Sequence, residues 1–205
     1  MSDETLTAFA QAAAEDGIVL ASQSFDWLCE QGHVGLERVA KARRDPALVA
    51  PVTAALAALG AIYARLNGDA SVLHASRKNL LLNVDLVHVP TGTVIQIDGP
   101  AHFTSFRLQA LDLYPAGAAL GFDLDEHREL CRGCCATSDA LARGMPAKGF
   151  GFGGVPRERA YHDALFDLAT PAMGHPPLRR IAALDGDGAA AYRRQRAALL
   201  VLSAS

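Results

Sequence analysis

The sequence has little of what usually identifies a function at a glance. Aromatic residues are only 6% of the 205, while alanine is abundant, so the composition is that of a helix-rich protein with a small sheet. Neither charge sign dominates. Nineteen Lys and Arg face 22 Asp and Glu, for a net charge of −3, so the chain is no bulk polycation and any nucleic-acid contact needs a local basic patch. Four cysteines are too few for a disulfide framework at this length, which leads us to expect reduced thiols. The opening residues MSDETLTAF lack both a basic start and an apolar run, so a cytoplasmic protein is expected. No apolar stretch reads as a bilayer span, so no membrane partner is expected. There is no phosphate loop, no internal repeat and no base-reading motif. Asp185-Gly186-Asp187-Gly188 lacks the further ligands of a calcium loop and reads as a turn.

What is present suits one globular α/β domain over 1–205, with 50% apolar and 20% charged residues. Residues 4–15 are strong helix formers. Leu20–Arg43 reads as helix broken at Gly32. Asp45-Pro46 starts another helix, with Asp as cap and Pro in the first turn, which Asn67-Gly68-Asp69 stops. Residues 1–68 are thus expected to be a helical N-terminal region. Ser71–Ala75 reads as a strand. Leu80–Val89 and Thr93–Asp98 bracket Pro90-Thr91-Gly92 as a β-hairpin, which with the next helix forms a core over 71–114. Helices are expected from Thr104 or Ser105 to about Leu113, over Leu124–Arg143 and over Arg157–Leu168, then a strand at Leu178–Leu184 and a last helix over Gly188–Leu202. The glycine-rich stretch Gly144–Pro156 is a loop, either lid or connector.

Charge inside the apolar strand LLLNVDLVHV stands out, because an unpaired buried carboxylate is expensive. Side chains alternate along a strand, so Asp85 has one face, and Gln96 and Asp98 share one face of the next strand. A turn of four residues, Pro90 to Thr93, would set Asp85 opposite Asp98 and Val87 opposite Gln96, whereas a turn one residue shorter would send Asp85 to the other side. His102, after the Gly99-Pro100 turn, is placed to reach Asp98. A carboxylate beside an imidazole fixes its tautomer and favours its proton, which suits acid/base work. Arg107 is one turn into the following helix and is a candidate for holding an anion. Cys131, Cys134 and Cys135 share a helix face with His127. Zinc needs ligands carried on separated turns, so small residues on a buried helix face explain that spacing better. Arg179, Arg180, Arg193, Arg194 and Arg196, with Lys41, Arg43, Arg44, Arg77 and Lys78, read as a solvated helix face or a phosphate patch.

The run Gln96-Ile97-Asp98-Gly99-Pro100-Ala101-His102-Phe103, with Asp85 eleven residues ahead of Gln96, resembles the motif of the restriction-endonuclease-like PD-(D/E)xK superfamily. It is nearest in pattern to the RAP domain and the very-short-patch-repair-like nucleases. The stretch His102–Arg128 is also similar to a set of actinobacterial proteins to which no activity attaches. The resemblance implies a small mixed sheet flanked by helices, with 115–177 as a helical insertion and 178–205 as the last core strand and helix. It implies Mg2+ at Asp85 and Asp98 and, joined to the reading of His102 above, a catalytic set of Asp85, Gln96, Asp98 and His102, while the basic residues Arg77, Lys78 and Arg107 are expected to bind substrate. The chain departs from the pattern at Gln96, where an acid is expected. An amide keeps the oxygen and removes a full charge, which weakens a divalent-cation site. Three functions follow: a divergent metal-dependent nuclease-like enzyme, a non-catalytic binding module on a degenerate nuclease fold, or a small-molecule enzyme using Asp98 and His102 as an acid–base pair. One scaffold hosts many chemistries, so partners range from nucleic acid to a small substrate.

Overall fold

The computed structural model describes residues 3–75, 80–141 and 143–203. Arg77 and Lys78 lie outside the described residues. Among the described residues, eight α-helices surround a mixed four-stranded sheet, and a two-stranded sheet stands apart from it, so the protein is α/β.

The helix α1 (Asp3–Glu15) follows its strong formers, and Asp45 caps α3 (Pro46–Arg65) by accepting from the Ala47 amide at 2.9 Å. α3 is the correction to the reading of apolar runs, because its 20 residues are long and apolar enough to cross a bilayer by length and composition. Its Leu48, Val52, Leu59 and Ile62 are buried in the protein's main core. Leu20–Arg43 is not one helix. It holds β1 (Leu20–Ala21), β2 (Ser24–Cys29) and then α2 (Gly32–Arg43). Phe25, Trp27 and Leu28 pack inside, and that tertiary burial outweighs the local helical spacing. Ser71–Ala75 is likewise no strand but the end of a short helix, α4 (Ala70–Ala75).

The apolar run Leu80–Val89 breaks in two. β3 (Leu81–Asn83) pairs with β2, while β4 (Leu86–His88) joins the main sheet, whose order is β1-β4-β5-β6. β5 (Thr93–Asp98) is antiparallel to β4, with Leu86 opposite Ile95 and Val87 opposite Val94. The hairpin turn therefore spans Val89–Gly92, one residue earlier than expected. Gly92 supplies the left-handed φ of 68°, and its amide bonds the His88 carbonyl at 2.8 Å. The pairing moves by two residues, so each side chain keeps its face.

β6 (Arg179–Ala182) runs parallel to β5 and forms the sheet edge. Ile95, Ile97 and Ile181 share a core with Phe9 of α1 and with Tyr192 of α8 (Gly188–Ser203). The opposite face carries Val94, Gln96 and Asp98 toward α5 (Ser105–Leu111), α6 (Leu124–Leu141) and α7 (Val155–Ala172). The segment 115–177 is thus no appendage, since its α7 brings charge to the sheet.

Candidate functional site

The Thr104 side chain caps α5 by accepting from the Arg107 amide at 3.0 Å, and a short 3-10 turn over Pro100–His102 carries the chain from Asp98 to that cap. The turn brings His102 back over the strand it has just left, with its Nδ1 at 3.5 Å from Asp98 Oδ1. Across from it, α7 presents Asp163 and Asp167, one turn apart on one helix face. His102 Nδ1 lies 3.0 and 3.1 Å from the two oxygens of Asp163.

The hub is Arg180. Its Nη1 donates to both oxygens of Asp98 at 2.8 and 3.0 Å, its Nε to Asp167 at 2.7 Å, and its Nη2 to the Asp163 carbonyl and carboxylate at 3.0 and 3.2 Å. Arg107 donates to Asp167 and to the Tyr114 hydroxyl, which in turn donates to Asp167 at 2.6 Å. Three carboxylates thus face two guanidiniums in a site closed to solvent except at His102, whose protonation would make the charges equal.

Burial opposes the charges of Asp163 and Asp167, but their partners outweigh it. Asp163 is held well below the usual carboxylate range by His102 and Arg180, and Asp167 is held down by Arg180 and Arg107. Burial alone would strip His102 of its proton. Asp163 and Asp98 reverse that, so its pKa lies above the ordinary histidine value. His127 goes the other way. Burial, then Arg107, lowers it to about 4, and its Nε2 stands 3.6 Å from Asp98 Oδ2, beyond hydrogen-bond distance.

Asp98 and His102 therefore meet as expected, and Gln96 is buried on the same face of β5, its Nε2 without a hydrogen-bond partner among the described residues. Asp85 is not brought into the group. Because β4 starts only at Leu86, the Ile97 amide has no strand carbonyl to meet, and Asp85 Oδ2 takes it at 2.8 Å. Asp85 acts as a stand-in for a missing strand partner. Arg107 is also displaced from its expected role. Its side chain is fully enclosed and meets no solvent, so it cannot reach for an anion. Arg180 belongs to no surface patch. Cys131 is buried and its thiol is pushed up to about 12, far from a metal-binding thiolate. The loop of 144–156 is tied down by paired main chains of Ala147 and Gly151 and by the Val155 amide on the Met145 carbonyl.

Asp163, Asp167 and Tyr114 are residues that sequence reasoning missed, and Arg180 is one that it placed in a solvated face or phosphate patch. A signal existed for three of them. Asp163 and Asp167 sit four apart within the apolar run AYHDALFDLAT, and Arg180 sits within LRRIAAL, the same anomaly that drew notice to Asp85.

Asp98, His102 and Asp163 each offer a ligand atom, all within 4.8 Å of one another, so this buried group could hold a metal ion. No protein-family model, no curated protein and no solved structure matches the chain. What the fold and site define is an α/β protein with a buried, charge-balanced cluster opening through one histidine.

Proposed function

We propose that the chain is a divergent nuclease-like enzyme that acts on phosphodiester-containing substrates through His102 as its proton-transferring group. One observation carries this. Asp163 holds His102 Nδ1 with both oxygens, while a fifth of the His102 side chain stays exposed and, among the described residues, none engages its Nε2. A carboxylate on one ring nitrogen fixes the tautomer and leaves the other to exchange a proton with a substrate oxygen. The phosphodiester part rests on the motif resemblance. It is supported by the element order of antiparallel hairpin, helices and a late parallel strand.

The convergence of Asp98, His102 and Asp163 favours a second reading, in which the enzyme uses a divalent ion held by these three. Bound there, an ion would polarise a phosphoryl oxygen. The donor set fits such an ion in part. Its imidazole suits Mn2+ or Zn2+ better than Mg2+, and Arg180 already occupies both oxygens of Asp98. A divalent ion would also have to displace the His102 proton.

Single- and double-stranded oligonucleotides incubated with the protein in EDTA, in Mg2+ and in Mn2+ test both readings. Cleavage in EDTA that is lost in His102→Ala supports the first, and cleavage only with added metal, lost in Asp163→Asn, supports the second. A folded protein inactive in every condition overturns both and leaves the degenerate binding module or the small-molecule enzyme.

A further inference from the structure

The sheet has an open side. β6 is its edge strand, and the Ala183 amide bonds the Asp98 carbonyl at 2.9 Å, which sets the phase of the ladder. In a parallel pair alternate residues face the partner, so Arg179, Ile181 and Ala183 turn their main chains to β5. The N–H and C=O of Arg180 and Ala182 point the other way. The Arg180 side chain meets no solvent, yet the residue keeps 7% of its surface, so its exposed part is main chain.

That edge opens into a groove of about 540 Å³, bounded on one side by Arg179 and by Gln195, Ala198 and Leu199 of α8, and on the other by Phe122, Asp123 and Glu126. The volume falls within the range of ordinary ligand sites. One edge carbonyl is covered by a flexible side chain, as Arg194 Nη2 reaches Ala182 O at 3.3 Å. Unlike a well-protected edge, β6 has no proline and no bulge across it.

We infer that the outer edge of β6 is a docking site for an extended peptide of a partner protein, one with basic side chains on one face and small apolar ones on the other. Such a strand pairs its main chain with Arg180 and Ala182 and displaces Arg194 from the Ala182 carbonyl. Its alternate side chains then fall on the two walls of the groove. Those on one side meet the exposed carboxylates of Asp123 and Glu126, which asks for lysine or arginine, and those on the other meet Ala198 and Leu199 beside Arg179, which repels a second row of cations. A second copy of this chain is a poorer fit. Its own β6 would arrive flanked by its own α8 and 120–126 segment, and those would meet the same walls.

The test is fluorescence anisotropy with a labelled peptide of alternating lysine and valine. Binding to the full chain is expected, and peptides N-methylated at alternate residues, one for each register, are expected to differ, the edge-facing one binding at least tenfold more weakly. Glu126→Lys, a change at an exposed residue, should weaken binding at least tenfold. Ala182→Pro removes only the outward amide and should do the same, with circular dichroism confirming that both variants are folded. No binding to the wild-type chain, or equal binding by both N-methylated peptides and by Glu126→Lys, overturns the proposal. Concentration-dependent self-association in sedimentation that Ala182→Pro abolishes also overturns it, by assigning the edge to a second copy.

Discussion

Arg180 on β6 holds Asp98 on β5 by a single nitrogen, Nη1, that reaches both carboxylate oxygens at 2.8 and 3.0 Å. The two residues lie on adjacent parallel strands, two positions out of register, and both point to the α7 face. That leaves Nε and Nη2 free for Asp167 and Asp163, so one cation serves three buried anions. In a metal-dependent carboxylate site that work would fall to the ion.

Removing the hub should therefore be costly. Arg180→Ala strands Asp98, Asp163 and Asp167 without their shared partner, and breaking buried pairs of this kind costs about 3–5 kcal/mol. Arg180→Lys should recover little, because an ammonium cannot reproduce the fork. Urea denaturation followed by circular dichroism measures both.

Stability should fall on both sides of a plateau in pH. The pKa of His102 is raised on folding, so its contribution is complete below the unfolded value of 6.5 and is lost as pH rises through the higher folded value. The pKa of Asp163 is depressed, so its contribution is present above the unfolded carboxylate value of 3.8 and is lost as pH falls through the lower folded one. Denaturation curves across pH should show both limbs, with the alkaline limb flattened in His102→Gln.

Asp85 separates structure from site. Asp85→Ala leaves the Ile97 amide buried and unpaired, with an expected loss of about 1–3 kcal/mol, whereas Asp85→Asn keeps an acceptor oxygen and should lose less. Neither should alter the response of the melting temperature to Mn2+. If Asp85→Asn abolishes that response while Asp163→Asn does not, the metal ligands are those of the sequence motif instead.

Gln96→Glu restores the acid that the motif resemblance expects, in a buried position next to Asp98 on the same strand face. In EDTA the variant should melt at a lower temperature than the parent, because it adds an anion to a balanced site. Thermal shift with Mn2+ should then recover part of the loss. A variant as stable as the parent in EDTA, with no gain from the ion, counts against a cation site here.

How much of this was legible in the residues depends on where each decision is made. The Asp45-Pro46 helix start, the Thr104 cap, the β5 strand and the late strand at Arg179–Ala182 are local matters of capping, branching and breakers, and the sequence shows them. The meeting of Asp98 and His102 was legible too, because only a Gly-Pro turn separates them. β2 was not, because the helical spacing of Leu20–Arg43 competes with the burial of Phe25 and Trp27, and only tertiary contacts decide that contest. Nor was the role of Asp85, whose partner is a main-chain amide left unpaired by the late start of β4.

The sequence by itself determined that this is an α/β protein with an acid–imidazole pair at the end of a central strand, since periodicity and turn chemistry act over a few residues. The tertiary structure alone decided what surrounds that pair. Asp163 and Asp167 stand far along the chain from Asp98, and Arg180 farther still. Their charges are tolerable in the interior only because the fold brings them together, and no short-range pattern records that pairing.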